Sequence, residues 1–154
     1  MKTTPGELQA FEAATRDLVG LALRSVDHLE VSLPQFRLLL VLHELGSVTS
    51  TQCAEALGVV GSSVTRLADR LDASGHLVRG TDPRHRSIVT LQLTDAGRRV
   101  VRKVVARRQR ELSQVLDQLE PTERAACAAS LEALHRALLG TVTDAGDHRS
   151  PLPL

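Results

Sequence analysis

Hydrophobic positions recur at three- and four-residue spacing through most of this chain, and the period shifts to two only in its middle. Leu8, Phe11, Leu18, Val19, Ala22, Val26 and Leu29 form a first helical stripe, broadened by Leu21 and Leu23. It opens on Thr4-Pro5-Gly6-Glu7: an N-cap Thr, Pro at the first helical position, and Glu three residues past the cap. So broad a stripe at a chain end either caps its own core or packs against something beyond it, such as a second subunit. Ser32-Leu33-Pro34-Gln35 is a second capping box, followed by a helix through Phe36, Leu39, Leu40 and Val41 to Leu45, where Gly46 ends it. This segment is apolar nearly all round, which predicts a central, buried helix. Thr49-Ser50-Thr51-Gln52 is a third box, opening a short helix with Cys53, Ala54 and Leu57 inward, and Gly58-Val59-Val60 turns into the next one.

The stretch from Gly61 to Leu93 organises the rest. Val64, Leu67, Ala68 and Leu71 share one face of a helix, and Ser62, Ser63, Thr65, Arg66, Asp69 and Arg70 share the other. Gly75 is placed to stop this helix in a left-handed conformation. His76 to Arg79 and Ile88 to Leu93 read as two short strands, the second with Val89, Leu91 and Leu93 inward and Thr90 and Gln92 outward. Between them Gly80-Thr81-Asp82-Pro83-Arg84-His85-Arg86-Ser87 is a hairpin tip with two arginines. Two short helices joined by a tight turn, the second polar-faced, form a helix-turn-helix. A polar-faced helix followed by a basic hairpin suits DNA, the helix in the major groove and the hairpin against the flanking backbone. Thr94-Asp95-Ala96-Gly97 then caps a long helix whose Val100, Val101, Val104, Val105, Leu112, Val115, Leu116 and Leu119 keep one face apolar. One small domain cannot bury all of it, so it is expected to extend away from the basic module. Pro121 starts a last helix with Cys127, Ala128, Leu131, Leu134, His135, Leu138 and Leu139 on one face and Gly140 at its end. The polar, Pro-bearing segment 141–154 is expected to be a flexible tail.

Composition narrows this picture. With 154 residues, 42% of them hydrophobic, one domain with a real core is expected. Aromatics are only 1%, so the core is Leu, Val and Ala, and single-strand binding by base stacking is disfavoured. No apolar run approaches the roughly 20 residues that span a membrane, and no signal-peptide pattern opens the chain, so a cytoplasmic location is expected. The net charge is only +1, but residues 61 to 110 hold 12 Lys/Arg against 4 Asp/Glu while the remainder holds 7 against 14. One strongly basic segment in a nearly neutral chain is an electrostatic footprint for a polyanion, against the alternative of a merely solvated charged helix. No Gly-rich phosphate loop, metal-ligand pair or nucleophile–base spacing points to an enzyme. The six histidines, His28, His43, His76, His85, His135 and His148, are scattered, so neither a metal nor a cofactor is expected.

The chain resembles the MarR family (multiple antibiotic resistance regulators) over about residues 8 to 139. The most specific part is Leu71, Gly75-His76-Leu77-Val78-Arg79, Asp82-Pro83-Arg84-His85-Arg86, Leu91 and Leu93-Thr94-Asp95-Ala96-Gly97. The family's wing pattern is Asp-Pro-x-Asp-Arg-Arg followed by Leu-Thr-x-x-Gly. Here His85 stands where the second Asp is usual and Ser87 where the second Arg is usual. The resemblance implies a mainly α fold with a small two-stranded wing, a winged helix-turn-helix with N- and C-terminal dimerisation helices. These would be about 5–30 and 95–140, around a DNA-binding module at about 33–94, in one unit over 1–140. It implies an obligate homodimer on double-stranded DNA with a pseudopalindromic operator, usually as a repressor. Release would come from a small molecule, phenolic or drug-like, or from oxidation. Val60 stands where the family usually has a capping Ser or Thr, so Gly61 or Ser62 is the candidate to take that role.

Among individual residues, Ser62, Ser63, Thr65 and Arg66 occupy the first turns of the polar-faced helix, where hydroxyls and N–H groups suit phosphates and base edges. Arg66 is the best candidate for base readout unless it pairs with Asp69, three residues on. Arg70, one turn deeper, is a phosphate or structural contact. Arg84 and Arg86 at the hairpin tip are candidates for the minor groove, and Asp82 is read as bracing an arginine. Thr51 and Gln52, with Thr49 and Ser50, begin the first helix of the motif and can touch phosphate, as can Arg37. Cys53 and Cys127 both fall on apolar faces, where packing, or for Cys127 packing or dimer contact, is favoured over redox sensing. The alternatives kept are a winged-helix protein-interaction module without specific DNA binding, and a redox-responsive regulator using either cysteine.

Overall fold

The computed structural model describes residues 2–144, with side chains in the last helix as far as Leu138. The order is α1 (Pro5–Val26), α2 (Leu33–Leu45), β1 (Val48–Thr49), α3 (Ser50–Leu57), α4 (Gly61–Ala73), β2 (Leu77–Thr81), β3 (Val89–Leu93), α5 (Asp95–Leu116) and α6 (Pro121–Asp144). Each of the first three helices starts on the capping box its sequence carries. Thr4 N–H donates to Glu7 Oε2 (2.7 Å), Ser32 N–H to Gln35 Oε1 (2.8 Å) and Thr49 N–H to Gln52 Oε1 (2.9 Å), and each hydroxyl accepts from the N–H three residues on. Two orphan groups are thus satisfied at each start, independently of tertiary packing.

The core is built on α2. Phe36, Leu38, Leu39, Val41 and Leu42 are buried, so the middle of this helix is enclosed on every side, and solvent reaches its ends at Pro34 and at His43, Glu44 and Leu45. Val64, Ala68 and Leu71 of α4, Leu77 of β2, Leu91 and Leu93 of β3, and Val101 and Val104 of α5 close around it. The expected two-stranded wing hairpin forms from β2 and β3, and a short third strand, β1, joins it to make an antiparallel sheet of order β1-β3-β2. Val48 and Thr49 pair with Leu91 and Thr90; two residues are too few to show an alternating pattern. The hairpin strands run from Leu77 to Thr81 and from Val89 to Leu93, each displaced from its expected bounds by one or two residues. The expected alternation in β3 also fails at one end. Val89 is 49% exposed, whereas Thr90 is 5% exposed. Val89 pairs with Thr81 beyond the reach of β1, so nothing covers it. Thr90 is flanked by Thr49 on one side and Gly80 on the other, where a Cβ would stand 3.2 Å from its hydroxyl.

At the other pole the chain is open. Phe11, on α1, is 51% exposed, and no described side chain of α6 is buried. α5 is 22 residues long, ending at Leu116, and Leu119 falls in the turn that follows. α6 continues through Gly140 to Asp144, so Gly140 does not end it; 145–154 of the expected tail lies outside the described residues. α1 is fastened to α5 near its C-terminus. Arg108 Nε donates to Ser25 Oγ (2.8 Å) while its guanidinium lies 5.0 Å over the Phe36 ring, and burial lowers its pKa from the ordinary arginine value. Arg107 donates to the Asp27 carbonyl (3.2 Å) and pairs with Glu111 (3.1 Å).

One junction joins α4, the wing and α5. α4 ends in a Schellman motif: Gly75 at φ +75° donates to the Asp72 carbonyl (3.0 Å), and His76 N–H donates to the Leu71 carbonyl (2.8 Å). The His76 carbonyl accepts from Thr94 N–H (3.2 Å), and a Cβ on Gly97 would lie 2.1 Å from that oxygen. Both groups are backbone, so neither can step aside. Gly97→Ala is expected to destabilise the fold by about 2–3 kcal/mol, a drop of roughly 5–10 °C in Tm. Gly6→Ala, where nothing lies within 4 Å, is the matched control. Equal melting temperatures for the two variants would show that the junction yields.

Candidate nucleic-acid interface

α3 and α4 form the helix-turn-helix. Gly58 at φ +66° ends α3 with its N–H on the Glu55 carbonyl (3.1 Å), and Val59 donates to the Ala54 carbonyl (3.0 Å). Val60 is the N-cap of α4 and makes no side-chain capping bond. The helix starts at Gly61, and neither Gly61 nor Ser62 takes over the cap as the sequence suggested. The first turn of α4 therefore has no internal side-chain acceptor; Ser63 N–H donates to the Val60 carbonyl (3.0 Å), which leaves the N–H groups of Gly61 and Ser62 at the positive end of the helix dipole. An anion is the group this terminus accepts.

Val64, Ala68 and Leu71 anchor α4 on the core, which turns Ser62, Thr65, Arg66, Asp69 and Arg70 to solvent with Ser63 half-buried. Thr65 Oγ1 donates back to the Gly61 carbonyl (3.2 Å), so its oxygen lone pairs rather than its proton are available. Arg66 does not pair with Asp69. Asp69 is taken by Arg79 of β2, which also reaches Asp72 at 3.6 Å. At the start of α3, Thr51 is exposed, while the Gln52 amide oxygen is committed to the Thr49 cap and leaves only its NH₂ for another partner. Arg37 is half-buried and donates to the Leu57 carbonyl (3.5 Å), bracing α2 against α3 instead of standing free.

In the wing tip Asp82 does not brace an arginine side chain. Its Oδ1 accepts the backbone N–H groups of Arg84 (2.7 Å) and His85 (3.1 Å), an Asx-type turn that shapes the tip itself. Asp82 N–H and Ile88 N–H close the loop on the Ile88 and His85 carbonyls (3.0 and 2.9 Å). The tip is thus a turn, and strand alternation does not decide which way Arg84 and Arg86 point. Both are exposed, and neither has an ion-pair partner among the described residues.

All four carboxylates of the basic segment are engaged within the chain. Asp69 and Asp72 face Arg79, Asp82 holds two backbone N–H groups, and Asp95 pairs with Arg98 at 2.8 Å. That hydrogen bond from Arg98 and its charge hold the Asp95 carboxyl below the usual carboxylate range. Arg66, Arg70, Arg84 and Arg86 are exposed and have no ion-pair partner among the described residues. Reading the sequence alone missed the role of Arg79. The available signal was Asp69 and Asp72 three residues apart on one helix side, with an arginine two residues into the strand after Gly75.

Among the described residues no group of three His, Cys, Asp or Glu could hold a metal ion, and no helix is long and apolar enough to cross a membrane. Cys53 is buried and Cys127 exposed.

The model of the MarR family matches residues 29–86. The chain is 33% identical over 110 residues to YfiV, an uncharacterized HTH-type transcriptional regulator of Bacillus subtilis (strain 168), over 71% of this chain and 69% of that protein. With the HTH-type transcriptional regulator TtmR of Methylorubrum extorquens (strain PA1) it shares 36% identity over 89 residues, 58% of this chain and 42% of that protein. The fold is similar to that of RV1404 from Mycobacterium tuberculosis, with a TM-score of 0.82 and 30% identity over 89% of this chain and 95% of that one.

The two cysteines differ in chemistry. Burial pushes the Cys53 thiol up to about 11, so at pH 8 roughly one part in a thousand is thiolate. Native protein is expected to leave Cys53 unmodified by a thiol-selective reagent at pH 8. A Cys127→Ser variant should react only after denaturation, and prompt labelling of that variant would reopen a redox role for Cys53.

Proposed function

The chain belongs to the MarR family, and from that premise we propose that it acts as a homodimer on a pseudopalindromic operator, repressing transcription until a small molecule releases it. It is a DNA-binding transcriptional regulator. The observation that carries the reading of its surface is the uncapped start of α4 beside Arg66, in a basic segment whose carboxylates are all engaged. In this reading the first turn of α4 enters the major groove. Its N–H groups and Ser62, Ser63 and Thr65 meet backbone and base edges, and Arg66 reads a base. Arg70 and Thr51 hold phosphates, with the Gln52 NH₂ beside Thr51. Arg84 and Arg86 reach the flanking groove from the wing, at a height set by the Asp82 turn.

Dimerisation through α1 and α6 is supported by the apolar side chains these helices leave outside the protomer's core. Leu8, Phe11 and Val19 line one open cleft on α1, and Leu131 is exposed on α6. For the effector, the structure offers a cleft of about 400 Å³ between the α1–α2 connection and α5, lined by His28, Glu30, His76, Arg99 and Lys103. Its cations suit a phenolate or carboxylate, and it borders the junction at His76 on which α4 and the wing are mounted.

Duplexes selected from a random pool by the full chain should bind far more tightly than unselected DNA, with a steep loss of affinity as salt rises. Arg66→Ala should reduce discrimination at one base position by about 1–3 kcal/mol. Arg84→Ala with Arg86→Ala should weaken binding and flatten the slope of log K against log salt by about 0.9 for each phosphate the wing no longer neutralises. Failure to enrich any duplex would favour a winged-helix module turned to protein partners.

A further inference from the structure

The Asp69–Arg79–Asp72 group does more than join a helix to a strand. Asp69 lies three residues after Arg66 on the exposed face of α4, within ordinary pairing reach of it. It is also adjacent to Arg70, on the surface proposed to meet phosphate. An uncommitted carboxylate there would do two things: pair with Arg66 and withdraw it, and repel the DNA backbone. Arg79 prevents both. It stands two residues after the buried Leu77, so β2 sends both side chains to the sheet face that looks at α4. Its Nη2 takes Asp69 Oδ1 and its Nε reaches Asp72 Oδ2 at 3.6 Å, so one planar guanidinium spans two carboxylates.

We propose that Arg79 is a positioning residue for DNA reading: it sequesters Asp69 and Asp72 and so keeps Arg66 free for a base. This rests on the proposed role of Arg66 and concerns a residue that itself touches no DNA. The side chains are 39% (Arg79), 58% (Asp69) and 44% (Asp72) exposed, so the group is expected to add little to folding stability.

The test uses the whole chain of 154 residues and the tightest duplex that the unaltered chain selects from a random pool. If the unaltered chain selects none, the regulator reading fails before this one is reached. Arg79→Gln is expected to weaken binding about tenfold, within the range that one base-reading arginine contributes. It should relax base preference at the same position as Arg66→Ala, and the two losses should be clearly less than additive when combined, with only the repulsion of the backbone by Asp69 remaining. Adding Asp69→Asn to Arg79→Gln should restore affinity to within about threefold, while Asp69→Asn alone should be neutral. Arg79→Lys, a point charge unable to span both carboxylates, should fall between and be rescued in the same way, which keeps the test open if Arg79→Gln melts early. The proposal is overturned if Arg79→Gln binds normally. It is equally overturned if Asp69→Asn gives no rescue and the salt slope drops by about 0.9, which would place Arg79 on a phosphate.

Discussion

A single backbone carbonyl, that of His76, sets how α4, the wing and α5 sit relative to one another. It follows directly on the left-handed Gly75 that ends α4, it opens β2, it accepts the Thr94 N–H, and Gly97 of α5 lies flat against it. Four elements therefore meet within one hydrogen bond's length. Two constraints there belong to the chain rather than to side-chain choice: the positive φ at Gly75 and the lack of space for any Cβ at 97. Thr94 adds a third tie, since its hydroxyl caps α5 and also donates to the Gly75 carbonyl (2.6 Å). Without this junction the reading helix and the wing would be two peptides on a loose hinge. With it, the distance between Arg66 and the wing arginines is a property of the fold.

The parts legible in the sequence were those decided locally. The capping boxes at Thr4, Ser32 and Thr49 formed as written, because each needs only residues three apart. The all-round apolar α2 could go nowhere but the centre. The misreadings came where a partner distant in sequence decides. Val48 and Thr49 become a strand only because Leu91 and Thr90 arrive from more than forty positions away. Thr90 is buried and Val89 exposed because that added strand is so short. Asp82 and Asp69 were both visible as acids in a basic stretch, but which donor would claim each depended on turn geometry and on the register that brings Arg79 back to α4. Gly140 is a helix stopper only if something else ends there, and nothing in α6 does.

The charge distribution gains meaning from these pairings. A net charge of +1 conceals a segment with 12 basic and 4 acidic residues, and even that count understates the contrast at the surface. Every acid of the segment is held by an internal donor, whereas the arginines of the α4 face and wing tip are not. Counterions gather on such cations and are released when phosphate replaces them, which is the sequence-independent part of DNA affinity. Specificity needs something further, an arginine whose fork is not already occupied, and in the proposed reading the internal pairing of the acids leaves Arg66 in that state.

α5 connects this surface to the opposite pole. It begins at the His76 junction and runs about 33 Å at 1.5 Å per residue, so one rigid element carries the reading head at one end and approaches α1 toward the other. There it is tied down by Arg108, which bonds Ser25 and covers Phe36, and by Arg107 and Glu111. Phe36 belongs to the same buried α2 on which α4 packs, so the fastening of the proposed dimer arm and the seating of the reading helix share one core residue cluster. Two heads on a pseudopalindrome must match half-sites about one helical turn of DNA apart, about 34 Å. In the proposed dimer, held through α1 and α6, the angle at which α5 leaves the His76 junction would bear on that spacing. The cleft lined by His28, His76, Arg99 and Lys103 lies against that angle. An effector in the proposed cleft would therefore meet the residues that join α5 to the wing, and none of the side chains proposed to face DNA lines it.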